Sequence, residues 1–131
     1  MALQKTKVLN ITSVTGIATV GILTAGVTPT DAGVAGTCYI RSVIMHNTGL
    51  GTARVSLYIN PDTNPVSIAV TTNRILRIDV APNETTFFES NYPITLTSTD
   101  SLGVEVGTPD AGGVGIGSAV NFLVNGDTDI S

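Results

Sequence analysis

The sequence predicts an all-β fold: a single antiparallel β-sandwich, jelly-roll-like, preceded by an extended N-terminal arm. Three observations carry that expectation. Apolar residues recur with the two-residue period of a strand in segment after segment, as where Leu76, Ile78 and Val80 alternate with Ile75, Arg77 and Asp79. Clusters of Gly, Pro, Asn, Asp and Ser break these runs at spacings of roughly 8–12 residues. No stretch combines a sustained helical period with caps.

At 131 residues the chain is one domain's worth, enough to bury a core without disulfides or metal. Hydrophobic residues are 42% and charged residues 12%, the latter about half the usual share. The surface is then built from Thr, Ser, Asn and Gly, as in a protein whose surface is covered by neighbours. A net charge of -4 with six Lys and Arg leaves no phosphate-tracking groove, so no nucleic-acid partner is expected. The single cysteine, Cys38, excludes an internal disulfide and reads as a small core residue. The basic residues of Met1–Lys7 are followed by a Thr-, Gly- and Ser-rich segment with no apolar run of signal or membrane length. Synthesis and assembly in the cytoplasm, with no membrane partner, are therefore expected.

Residues 8–14 have β-branched strand character. In the next segment, Thr15-Gly-Ile-Ala-Thr-Val-Gly-Ile-Leu-Thr-Ala-Gly-Val27, glycine recurs every five residues at Gly16, Gly21 and Gly26, a spacing of neither a helix face nor a strand face. Two structures fit it. One is a pair of edge strands separated by a kink. The other is an arm laid across a neighbouring subunit, with Ile17, Val20, Ile22 and Leu23 as the inter-subunit contacts. Residues 28–36 read as a loop, which divides the chain into an N-terminal arm or edge-strand region at 1–36 and a β-sandwich body at 37–131.

The body opens with a long strand over Cys38–His46, then a turn at Asn47-Thr-Gly-Leu-Gly51 whose glycines can take positive φ. A second strand follows at residues 54–60, with Val55, Leu57 and Ile59 on one face, and the two are expected to pair as a hairpin. Pro61 and Pro65 end that strand, leaving 66–72 as a short edge strand or a pinned loop. Residues 74–107 read as a meander. Ala81-Pro-Asn-Glu84 is a turn in which Asn tolerates the left-handed region, and Ile94 with Leu96, then Leu102 with Val104 and Val106, resume the alternation. A glycine-rich loop at 108–118 precedes a closing strand in which Val120, Phe122 and Val124 alternate with Asn121, Leu123 and Asn125.

Chemistry-bearing residues are sparse. His46 is the only histidine. Even spacing from Cys38 puts both on one face of a strand but about 26 Å apart, too far for a nucleophile and base. The carboxylates fall mostly in turns, and with no Trp and 5% aromatics the sugar platforms of a glycosidase are missing. Asn125-Gly-Asp-Thr-Asp129 lacks the closing Glu of a calcium loop and reads as a polar tail. The glycines of 112–117 lack the Lys-Ser/Thr and the helix of a phosphate cradle. No catalytic site, metal site or cofactor is expected, and an enzyme is not.

The progression Tyr39-Ile-Arg-Ser-Val-Ile-Met-His-Asn47, Val55-Ser-Leu-Tyr-Ile-Asn60, Asn73-Arg-Ile-Leu-Arg-Ile-Asp-Val-Ala-Pro-Asn-Glu84, Tyr92-Pro-Ile-Thr-Leu96, Ser101-Leu-Gly-Val-Glu-Val106 and Val120-Asn-Phe-Leu-Val-Asn-Gly126 resembles small β-sandwich virion proteins of tailed bacteriophages. The resemblance implies a virion structural protein, a capsid decoration or cement protein acting as a homo-oligomer, a trimer, on a shell of major capsid protein. A tail, neck or fibre-base component, or a receptor- or glycan-binding module, remain the alternatives.

Overall fold

The computed structural model describes residues 3–16, 18–30, 33–61, 71–97, 99–108 and 119–129. In chain order these form β1 (Leu3–Thr15), β2 (Ala18–Thr24), β3 (Pro29–Thr30), β4 (Gly33–Val34), β5 (Thr37–Asn47), β6 (Ala53–Asn60), a 3-10 turn at Thr71–Asn73, β7 (Arg74–Val80), β8 (Thr85–Thr97), β9 (Ser101–Gly107) and β10 (Ala119–Asp129). Among the described residues the chain is thus nearly all antiparallel β-sheet. A first four-stranded sheet has the order β1-β10-β5-β8, a second has β2-β9-β6-β7, and β3 with β4 makes a small ribbon.

The pairings nest. β6 pairs with β7, β5 with β8, β2 with β9 and β1 with β10, as in one long antiparallel ribbon closed at the β6–β7 end. Two lateral ladders, β10 with β5 and β9 with β6, complete the sheets. Each sheet turns one face to a shared core, whose largest buried side chains, Phe122, Leu23, Ile40, Met45, Leu57, Leu96 and Leu102, come from both. Each such side chain contributes about 1.5–3 kcal/mol by leaving water.

Strand phase follows the sequence closely. Leu76 and Ile78 pack on the core, and Ile75, Arg77 and Asp79 are exposed. Asn83 takes φ +60 in the turn that ends β7, with Glu84 N donating to Ala81 O at 3.0 Å. Val120, Phe122 and Val124 are buried along β10.

Strand partnership does not follow the sequence. The expected β5–β6 hairpin is absent, because β5 lies in the first sheet and β6 in the second. The expected meander over 74–107 is likewise corrected: β7 and β9 lie in the second sheet and β8 in the first. Alternation encodes which face is dry, and a dry face is equally well met by crossing to the opposite sheet. The turn at 48–51 is held by the Asn47 side chain, since neither Gly49 nor Gly51 takes positive φ. Residues 125–129, expected as a polar tail, form the last part of β10 and pair with both β1 and β5. The segments at 62–70 and 109–118 lie outside the described residues.

The expectation of an extended N-terminal arm is also corrected. β1 pairs with β10 from Leu3↔Asp129 to Thr15↔Ala119, and β2 with β9 from Ala18↔Val106 to Thr24↔Ser101. These residues are edge strands of their own chain, one on each sheet, with Val8, Leu9, Val14, Ile22 and Leu23 in the core. Gly16, at φ +75, ends β1 where the chain leaves the first sheet for the second. Gly26, at φ +81, turns it again after β2, with Gly26 N donating to Ala35 O at 2.7 Å.

Candidate interaction surface

The faces turned away from the core differ in chemistry. On the second sheet, Thr19, Glu105, Ser56 and Arg77 form one cross-strand row. Beside it, Arg54 grips Asp79 with two hydrogen bonds, Nε to Oδ1 at 2.8 Å and Nη2 to Oδ2 at 3.1 Å. The Arg54 hydrogen bond holds the Asp79 carboxyl below its ordinary range, helped by the nearby Arg54 and Arg77 charges against a smaller desolvation effect. Tyr58 Oη donates to Glu105 at 3.1 Å. A depression of about 330 Å³ between these groups is lined by Arg54, Arg77 and Glu105 among others. Its two arginines face Glu105 within the lining and Asp79 beside it, so it presents no field of one sign.

The outer face of the first sheet carries the reverse pattern. Leu123 pairs with Ile44, and Ile44 pairs with Phe87. On the far side of Leu123, β1 bulges between Leu9 and Thr12, which brings Ile11 to the same level. Ile11, Leu123, Ile44 and Phe87 thus form an apolar row across all four strands. Its ends are open to water, with Ile11 69% and Phe87 62% exposed. Ile11, Ile44, Leu123 and the flanking His46 and Asn121 line a shallow depression of about 240 Å³.

Polar rows flank the apolar one. On one side lie Ser13, Asn121, His46 and Thr85, and on the other Lys7, Asn125, Ser42 and Glu89, each in ladder register. His46 Nδ1 and Thr85 Oγ1 are 2.6 Å apart within the first of these rows. A hydroxyl and an imidazole at that distance are hydrogen-bonded to each other, and Cys38 is not with them. The expectation that Cys38 and His46 share a face is corrected by a shift in β5 between Ile40 and Ser42. One extra residue, Arg41, reverses the phase, so Cys38 points into the core and His46 out of it. Burial pushes the Cys38 thiol above its ordinary pKa, which keeps it protonated and unreactive. Arg41 itself reaches Asp127, Nε to Oδ2 at 3.0 Å.

Of the four residues expected as inter-subunit contacts, Ile22 and Leu23 are buried in their own chain's core, Val20 is 38% exposed on β2, and Ile17 lies outside the described residues. The structure does not bring Val20, Ile22 and Leu23 together on one surface. The row that does form was signalled in the sequence by apolar residues occupying both phases of a strand. Ile44 stands between the core residues Val43 and Met45, Phe87 beside Phe88, and Leu123 between Phe122 and Val124. Reading alternation for the dry face alone passes over that signal.

Among the described residues no group of three or more His, Cys, Asp or Glu is placed to hold a metal ion. Among the described residues no helix is long and apolar enough to cross a membrane. Comparison with protein-family models, curated proteins and solved structures finds no match for this chain.

Proposed function

We propose that this chain is a non-enzymatic structural protein of a bacteriophage virion, a capsid decoration or cement protein that binds a shell of major capsid protein and copies of itself. The observation that carries the reading is the nested strand order. Leaving aside the short β3–β4 ribbon, the first sheet takes the first, eighth, third and sixth strands, and the second the second, seventh, fourth and fifth. That nesting supports a jelly-roll sandwich, an architecture that recurs in viral capsid proteins and also in lectins and cupins.

Surface chemistry supports the same reading. Charged residues are 12% of the chain, and the outer face of the first sheet puts an apolar row between rows dominated by Ser, Thr and Asn. Such a face suits many modest contacts repeated over a lattice, where multivalency multiplies weak affinity. The chain is expected on the virion, assembled in the host cytoplasm, with no cofactor.

Purified protein is expected to cosediment with expanded capsids and to be found by labelled antibody over the head of intact particles. Labelling of the tail, neck or fibre base would replace the cement role with one at that site. Specific hits on a glycan array without capsid binding would replace it with receptor recognition.

A further inference from the structure

We propose that the outer face of the first sheet is a self-complementary interface, on which a second copy of this chain docks face to face about a two-fold axis running along the strands between β10 and β5. The inference deepens the self-association in the function proposed above and rests on that reading, but it names the surface, the partner and the symmetry.

A row crossing four strands spans about 19 Å at the usual strand spacing. β5 has 11 residues, so the face is about 37 Å long. The footprint, about 700 Å² per copy, is close to the roughly 800 Å² per partner of a stable interface. The row lies within that footprint with polar residues on both sides, the usual layout of an apolar interface centre and a polar rim.

Twist permits the contact. A twisted sheet is a saddle, and turning a saddle over about its strand axis produces a second saddle that stays equidistant from the first. Two copies related this way can therefore pack at the usual separation of about 10 Å across the whole face.

Charge selects the axis. Lys7 and Glu89 sit at opposite ends of one row, Lys7 opposite Asn125, Asn125 opposite Ser42 and Ser42 opposite Glu89. A two-fold axis along the strands reverses that row onto itself. Lys7 of each copy then meets Glu89 of the other, Ile11 meets Phe87, and Leu123 meets Ile44. An axis along the row instead sets Lys7 over Ser13 and Glu89 over Thr85, and pairs no charges. The interface is isologous, each contact occurring twice, which selects a two-fold association over the expected trimer.

Within one chain Lys7 and Glu89 are three strands apart, about 14 Å, so a charge-reversal cycle reads contacts between copies. Sedimentation equilibrium on the full chain should show a monomer–dimer equilibrium. Lys7→Glu or Glu89→Lys should each weaken the dimer about tenfold, since two pairs turn repulsive at once. The double variant should return to within about threefold of the original. Phe87→Glu, on an exposed edge, should leave a folded monomer by circular dichroism. A monomer at 100 µM (about the upper working range for weak dimers), a trimer, or a double variant no tighter than the singles would each overturn the proposal. A dimer that obeys the cycle but does not bind capsids supports this pairing and removes only the virion reading. Capsid binding by a strict monomer does the reverse.

Discussion

Asn47 Nδ2 donates a 2.8 Å hydrogen bond to the carbonyl of Val80, linking the end of β5 in the first sheet to the end of β7 in the second. The same side chain donates to Gly51 O at 2.9 Å and accepts from Gly49 N at 2.8 Å. Its backbone exchanges bonds with the next turn, Asn47 N to Glu84 O at 3.0 Å and Asn83 N to Asn47 O at 2.8 Å. One buried amide therefore holds two chain crossings between sheets. Asn47→Ala strands two carbonyls and an amide, and should cost about 3 kcal/mol in urea unfolding. Asn47→Asp should cost more at neutral pH, because a carboxylate would face two carbonyl oxygens, and should recover part of the loss as pH falls and the carboxyl protonates.

How much of this fold was legible depends on what each residue pattern encodes. Leu76, Ile78, Leu102, Val104, Val106, Val120, Phe122 and Val124 declare their burial by period alone. Asn47 does not, since an Asn before a Gly-containing turn looks like an ordinary turn residue, and its reach to Val80 exists only once the sheets are stacked. The bulge at Arg41 leaves only a faint mark, two consecutive polar residues, Arg41 and Ser42, between Ile40 and Val43, yet that extra residue decides which side His46 faces. The apolar row was half legible: Ile44, Phe87 and Leu123 are visibly out of phase with a wet face, but that they align with Ile11 is a property of the ladders.

Gly126 pairs with Ile40 at the point where β10 and β5 shift register. A Cβ there would collide with the carbonyl oxygen of Tyr39 and crowd the amide of Arg41, both backbone groups that cannot rotate away. Gly126→Ala should lower unfolding free energy by about 2–3 kcal/mol with an unchanged denaturant slope. Gly107→Ala is the control, since a Cβ at Gly107 meets nothing within 4 Å. Its effect should stay within about 0.5 kcal/mol.

Asp79 supplies a pH dependence of known sign. Its folded carboxyl pKa is lowered, first by the Arg54 hydrogen bond, so the pair contributes stability above the ordinary carboxylate range near about 3.9. That contribution is lost as pH falls through the lower folded value. Arg54→Ala should move the Asp79 carboxyl resonance in a carbon-13 titration back up toward its ordinary midpoint. The exposed position makes the stabilisation small and open to salt screening. A midpoint that does not move in this variant would show the contact to be absent in solution.

Thr128 lies fully buried on β10, opposite Cys38, and among the described residues its Oγ1 has no hydrogen-bond partner. A hydroxyl in that position has left bulk water with no partner among the described residues, whereas the methyl beside it is buried with the core. Thr128→Val keeps the shape and removes the cost, so it should raise unfolding free energy by about 1 kcal/mol and the melting temperature by roughly 4 °C. Thr128→Ser keeps the stranded hydroxyl and deletes the methyl, and should destabilise by about 1 kcal/mol. The two variants move in opposite directions only if the hydroxyl is unsatisfied. Destabilisation by both, in parallel thermal and urea unfolding, would mean that the hydroxyl is bound to something in the core, a buried water being the species small enough to fit.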